Sequence, residues 1–236
     1  MDKQSLRERI WDHLEAEGLA RFPFPPHDRI PNFAGADDAA DRLAETSEWE
    51  DAEAIKANPD APQLPVRRRA LDEDKTVYMA VPRLRDEEPF YELDPAEIPP
   101  EEYDSAPTIS HVESYARQVA PEDVAAIDLV VSGSVAVTEA GARVGKGEGY
   151  SDLEYAVLRE LGLVGEETPI ATTVHDSQVV NEDVDVEAHD VPMDLLVTPS
   201  RLIRTDIEYE KPTGVFWDEL SDERIAEVPV LAGRRS

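Results

Sequence analysis

The chain has no cysteine, which excludes disulfides, a thiol nucleophile and thiolate metal sites. Lysine is scarce, occurring only at Lys3, Lys56, Lys75, Lys146 and Lys211, so arginine supplies most of the 23 basic residues. Against them stand 53 acidic residues, for a net charge of −30. That sign disfavours nucleic acid and anionic membrane as partners of the molecule as a whole, while a local basic pocket for phosphate is still allowed. The one basic cluster, Arg67-Arg68-Arg69, is too small to overcome the acidic background as a nucleic-acid platform. No apolar run approaches membrane-spanning length, and the segment from Met1 to Trp11 is charged and amphipathic, without the apolar core of a signal peptide. A soluble, cytoplasmic protein is expected. Because the acids are spread along the whole chain, they read as a solvated surface whose self-repulsion is screened within about 3 Å at molar salt. A salt-adapted cytoplasm fits that bias; a merely acidic soluble protein is the plainer alternative.

What is present is enough for a core of ordinary size: 236 residues, 41% of them hydrophobic. Leu6, Ile10, Trp11 and Leu14 recur at helical spacing up to Gly18, with Ser5 and Glu8 as a capping box, giving a helix over about 3–17. The proline-dense stretch 21–31 must be extended or irregular. Helices are expected around 37–44 and 47–57, a strand near 76–81, acidic proline-rich loop over 85–106, and a short helix or strand near 109–118. Ile127-Asp-Leu-Val-Val is the best buried-strand candidate. Further strands fall near 169–174 and 194–198. Alternating strands and helices imply an α/β fold, three layers around a largely parallel central sheet of Rossmann-like type. The main domain is expected over 1–206. Residues 207–236 form a C-terminal extension that packs through Val215, Phe216 and Trp217 or is left loose.

The segment Gly141-Ala-Arg-Val-Gly-Lys-Gly-Glu-Gly-Tyr-Ser-Asp152 carries the most chemistry. Gly145, Gly147 and Gly149 alternate between a strand-like run and a helix-like one, where backbone N–H groups can be aimed at an anion. The pattern is neither a P-loop, lacking GK[ST], nor GxGxxG. Ser151 with Glu154 makes a second capping-box match, followed by the stripe Leu153, Val157, Leu158 and Leu161, closed by Gly162. Read without a ligand, the glycine segment is an ordinary turn, Lys3 and Arg7 are solvated face charges, Asp152 is a first-turn acid and Tyr150 a packing aromatic.

Lys3-Gln-Ser-Leu-Arg7 fits KxxLR, and residues 141–152 fit GxRxGxGxGYxD. In this order and separation they resemble the 5-formyltetrahydrofolate cyclo-ligase (5,10-methenyltetrahydrofolate synthetase) family. Supporting segments are 128–137, His175-Asp-Ser-Gln178 and His189 through Asp194. The resemblance covers about 1–205 and, with its long inserts, is closest to the divergent branch that includes domains without established activity. It implies an ATP- and Mg²⁺-dependent ring closure. The formyl oxygen of 5-formyltetrahydrofolate attacks the γ-phosphate, N10 attacks the activated carbon, and phosphate departs. Phosphoryl transfer needs positioning and charge neutralisation more than a covalent nucleophile. The resemblance implies catalytic roles for Lys146 and Tyr150. Lys3, Arg7, Arg143, Gly145, Lys146, Gly147, Gly149, Tyr150, Ser151 and Asp152 would hold ATP, and Asp152 would also hold Mg²⁺. Lys3 and Arg7, one helical turn apart, can point at the same anion.

The family usually runs Gly-Gly-Gly-Tyr-Tyr-Asp-Arg, whereas here Glu148 sits between glycines and Glu154 stands near the arginine's place. Glu148 must point away from the phosphates or toward a metal; Glu154 is expected to cap the helix with Ser151. The family's glutamate near the formyl group has no clear match, Asp37, Asp38 and Asp41 being out of register. His175-Asp176 and His189-Asp190 fit no common metal spacing and read as surface pairs. Ser132-Gly-Ser134 is no nucleophile elbow. Arg67–Arg69 would pair with local acids or touch the glutamate tail of a folate. Two alternatives stay open: a non-catalytic nucleotide- or pterin-binding module on the same fold, and an interaction protein acting through its acidic surface. A monomer or homodimer is expected.

Overall fold

A computed structural model describes residues 2–207 and 209–233; of the expected extension, residues 208 and 234–236 lie outside the described residues. Its centre is an eight-stranded sheet in the order Leu202–Arg204, Leu195–Val197, Ile170–Thr173, Leu129–Val131, Ala54–Ala57, Thr76–Ala80, Phe90–Leu93, Arg117–Val119. The strands from Leu195–Val197 to Thr76–Ala80 pair in parallel, and antiparallel strands close both edges. A mixed α/β fold with a mostly parallel sheet is therefore what the chain adopts.

Side chains alternate across the pleat, so each strand feeds two cores. Ile55, Val77, Met79, Leu129, Val131, Leu195 and Val197 pack with Leu43, Trp49, Val66 and Leu71 from the helices on one face. Ala54, Tyr78, Ala80, Val130, Ile170 and Leu196 pack with Leu153, Val157 and Leu158 of the helix Tyr150–Glu160 on the other. Each large apolar side chain so buried contributes about 1.5–3 kcal/mol against an exposed reference. The C-terminal segment joins this second core through Ile225, Val228, Val230 and Leu231, with Val215 and Trp217 packed against it, while Phe216 meets the His189 ring edge-on.

A third cluster seats the first helix, Lys3–Ala16, on a small sheet formed by Ala136–Thr138, Arg143–Val144 and Val179–Val180. Its stripe of Leu6, Ile10, Trp11 and Leu14 is buried as expected. The cap is not Ser5 but Asp2, whose carboxylate accepts from the N–H groups of Gln4 and Ser5.

Two expectations fail for identifiable reasons. The helix expected over 47–57 stops after Ser47–Glu50, and Ala54–Ala57 is instead a central strand buried at every position. Lys56 disguised that strand, because a lysine in a run buried on both faces needs a partner the sequence does not show. The loop expected over 85–106 contains the strand Phe90–Leu93, a short apolar run lost among prolines and acids. Near 109–118 a helix, Val112–Tyr115, and a strand, Arg117–Val119, both form.

Candidate functional site

In parallel α/β sheets, ligands bind beyond the carboxyl ends of the strands. Here Ala54–Ala57 delivers Asn58 and Asp60, Thr76–Ala80 delivers Val81 and Arg83, and Leu129–Val131 delivers Gly133 to one cavity of about 630 Å³. Lys3 and Arg7 from the first helix, Arg143, and every residue from Gly145 to Asp152 complete its wall. Its lining combines apolar side chains, Met79, Leu84, Tyr91, Ile109 and Val112, with arginine, lysine, carboxylates and loop backbone.

The glycine segment is shaped as an anion site requires. Gly147 has φ +103°, and a Cβ there would lie 3.3 Å from Cζ of Arg7, so a side chain would meet both strain and a cation held against the loop. Gly149, at φ +69°, is the N-cap of the helix Tyr150–Glu160. Among the described residues, no acceptor in the chain receives the backbone N–H groups from Lys146 to Asp152. Unpaired donors beside the positive end of an 11-residue helix are what a phosphate binds.

The structure brings all the sequence-expected residues to this one place, but with pairings the spacing did not show. Lys3 Nζ donates to Asp190 Oδ2 at 2.5 Å. Arg7 Nε donates to the Gly145 carbonyl at 2.7 Å, and burial followed by repulsion from Arg143 pushes its guanidinium down from the usual value. Arg143 is nearly buried; its Nη2 lies 2.6 Å from each oxygen of Asp152, and its Nη1 donates to the Gly133 carbonyl. Lys146 pairs with Glu148 at 2.8 Å. Tyr150 lies under Arg224, whose guanidinium carbon is 3.7 Å from the ring centre. Glu148, expected to point away from the phosphates or toward a metal, instead meets Arg83 at 2.9 Å as well as Lys146.

Ser151 and Glu154 do not form a capping box. Ser151 Oγ accepts from Asn58 Nδ2 at 3.1 Å, while Glu154 is turned inward to the sheet, its Oε1 2.9 Å from Lys56 Nζ but off line for a hydrogen bond. Lys56 instead donates to Asn58 Oδ1 at 2.7 Å, so a polar chain runs from the buried strand to the helix start. Burial pushes the Glu154 carboxyl up, and Lys56 opposes that shift. Asp37 and Asp38, with Asp41, lie on the helix Ala36–Ala44 and do not line the cavity.

Among the acids that do line it is Asp60, three residues beyond the strand that the sequence disguised. Dense surroundings push its carboxyl up, an effect that Lys146, Arg67 and Lys56 oppose by their charge. Its loop is fixed by Arg67, which is buried and donates to the carbonyls of Asn58, Pro59, Asp60 and Pro107. That burial brings the Arg67 guanidinium down to about 9. Arg68 and Arg69 meet Asp104, Asp41 and Glu73, the local acids expected of them. His175 caps a short turn, and Asp176 accepts from Thr198 and Ser200. His189 and Asp190, read as a surface pair, belong to the cavity wall.

The donor set can also be tested against a divalent cation. Both oxygens of Asp152 are already engaged by Arg143, and Oδ1 also accepts the Val191 N–H. The next segment carries Glu187, His189 and Asp190, whose ligand atoms lie within 4.8 Å of one another. The carboxylates at 187 and 190 suit a hard cation such as Mg²⁺, whereas Asp152, expected to hold that ion, is not in this group and is held in the Arg143 pair. No helix among the described residues is long and apolar enough to cross a membrane.

The sequence model of the 5-formyltetrahydrofolate cyclo-ligase family matches residues 1–199. Over the whole chain, the methenyltetrahydrofolate synthase domain-containing protein of Mus musculus is 43% identical across 240 residues, and that of Homo sapiens 39% across 242. The chain spans only 63% and 62% of those relatives' lengths. Among solved structures, the NMR structure of Aquifex aeolicus 5,10-methenyltetrahydrofolate synthetase superposes with a TM-score of 0.53 at 18% identity, covering 87% of this chain and 94% of that one, a likeness of fold. With the glycine loop, the cation set and the sheet in the places described, the chain belongs to the 5-formyltetrahydrofolate cyclo-ligase family.

Proposed function

We propose that this chain uses Mg-ATP to convert 5-formyltetrahydrofolate to 5,10-methenyltetrahydrofolate. The observation that carries the reading is the run of unpaired backbone donors from Lys146 to Asp152, in a cavity that Lys3, Arg7, Arg143, Lys146, Arg83 and several apolar side chains also line. The donors and cations suit a triphosphate; the apolar lining of Met79, Leu84, Tyr91 and Val112 suits a flat heterocycle. Charge developing on the transferred phosphoryl group would be met by preorganised N–H groups and by Lys146. Arg7 and Arg143 act from beneath the loop, one through the Gly145 carbonyl and one through Asp152. Mg²⁺, when bound by Glu187 and Asp190, would neutralise phosphate charge.

The formyl oxygen takes the γ-phosphoryl group from ATP, with ADP as the leaving group; N10 then closes on the activated carbon and gives up its proton, and the C–O bond breaks to release inorganic phosphate. In this reading Asp60, from the cavity lining, hydrogen-bonds the polar edge of the ligand, and Tyr150 borders nucleotide and folate, with one ring face covered by Arg224. The salt-adapted, cytoplasmic setting belongs to this reading through the net charge of −30.

A second reading, a nucleotide- or pterin-binding module without turnover, draws on one feature. The cations at 3, 143 and 146 are each already neutralised by a carboxylate of the chain. The two separate in purified protein in high KCl with Mg-ATP and 5-formyltetrahydrofolate, following methenyltetrahydrofolate by its near-ultraviolet absorbance. Product that needs both ATP and Mg²⁺ and vanishes in Lys146→Ala and Asp152→Asn supports catalysis. Folded protein that binds ATP and makes no product supports the binding module.

A further inference from the structure

The glycine loop holds an anion of its own. Glu148 stands between Gly147 and Gly149, and its carboxylate is shared by Lys146, 2.8 Å away on the same loop, and Arg83, 2.9 Å away on the opposite rim. These contacts hold the carboxyl below the ordinary carboxylate range, the hydrogen bond from Lys146 being the largest cause. Both cations belong to the cavity wall. They therefore meet a carboxylate in the place where a ligand phosphate would draw them.

The bridge is not a chance meeting of two loose side chains. Arg83 and Leu84 have φ +62° and +52°, a backbone region that residues other than glycine seldom adopt and that persists where packing over-determines it. Leu84, 1% exposed, is locked in the core and fixes the turn that projects Arg83. From the other side, Arg224 donates to the Glu148 carbonyl at 2.5 Å and fixes the backbone of the loop. Both ends of the bridge are thus anchored outside the loop itself.

We propose that Glu148 is a built-in competitor for the phosphate site: it occupies Lys146 and Arg83 in the free protein and must be displaced by a phosphate-bearing ligand, setting a lower affinity in exchange for a pre-placed cation pair. The proposal rests on the phosphate-site reading above and deepens it. A ligand with several negative charges outcompetes one carboxylate, whereas a singly charged anion does not, so the bridge selects for polyphosphate over inorganic phosphate.

The test is calorimetric titration of inorganic tripolyphosphate, inorganic phosphate and Mg-ATP into wild type, Glu148→Gln, Lys146→Ala and the double variant, at about 0.15 M salt where charge effects are visible. Glu148→Gln is expected to tighten tripolyphosphate and Mg-ATP by about tenfold, from removed repulsion plus two freed cations. It should also raise the affinity for inorganic phosphate relative to tripolyphosphate, and the gain should shrink when Lys146 is also alanine, to what Arg83 and the removed repulsion supply. Affinities within twofold of wild type, a gain undiminished without Lys146, or no tripolyphosphate binding by either protein would each overturn the proposal. The turnover assay on wild type reads the cyclo-ligase function separately: product without a Glu148→Gln gain removes this inference alone, and the gain without product removes that function alone.

Discussion

Lys56 and Glu154 form an ion pair beneath the candidate site with side chains only 1% and 5% exposed, and replacing Lys56 with methionine tests whether it is structural. The variant leaves Glu154 buried without its cation. An isolated buried carboxylate is so unfavourable that it takes up a proton instead. From an ordinary value of 4.5, protonation at pH 7 costs about 1.36 × (7.0 − 4.5) ≈ 3.4 kcal/mol, which sets the ceiling on the loss. Asn58 Oδ1 also loses its donor, a further penalty of about 1 kcal/mol, while the apolar methionine stem offsets part of the total. Equilibrium denaturation in guanidinium chloride should therefore show Lys56→Met less stable by about 3 kcal/mol at neutral pH. The sign of the pH dependence follows from the raised carboxyl. The folded variant keeps its proton while the unfolded chain gives it up, so its deficit against wild type shrinks as the pH falls toward 4.5. The double variant Lys56→Met with Glu154→Leu should return to within about 1–2 kcal/mol of wild type, because a buried pair replaced by apolar groups is near neutral. A single-variant loss below about 1 kcal/mol with no pH dependence would refute the reasoning, as would a double variant whose loss equals the sum of the singles.

Asp60→Asn should remove a pH dependence. Wild type ought to lose stability relative to the variant as pH rises from 3.8 through the raised folded value, seen in thermal melts across that range, because only the unfolded chain ionises there. Arg224→Ala should weaken Mg-ATP about two- to fivefold, the worth of a half-exposed cation–π contact, with Arg224→Lys recovering part; unchanged affinity in both would mean that the C-terminal segment does not steady the loop. With a net charge of −30, raising KCl from about 0.1 M to about 2 M should raise the melting midpoint, and a flat or falling midpoint would count against self-repulsion as the dominant salt effect. Arg67→Met should lower stability and Mg-ATP-dependent turnover together, since four carbonyls of the loop carrying Asp60 and its neighbour Pro107 lose their donor; full turnover in a stable variant would show that the loop does not need it.

Local chemistry was enough to determine much of this protein. The first helix is written in Leu6, Ile10, Trp11 and Leu14, the central strand in Leu129–Val131, and the anion loop in glycines whose positive φ only glycine adopts readily. These signals lie within a few residues of one another, so periodicity and spacing carry them. Tertiary structure alone decided the partners. Lys56 reads as a surface residue until Glu154, 98 positions later, is folded against it, which is why its strand reads as helix in sequence. Asp60 became a site residue only when Arg67 pinned its loop at the end of that strand. Arg83 and Arg224 reach the glycine loop, and Asp190 reaches Lys3, from three separate segments of the chain. Charge pairing across a fold depends on which distant backbones approach, and nothing in the order of residues along the chain fixes that distance.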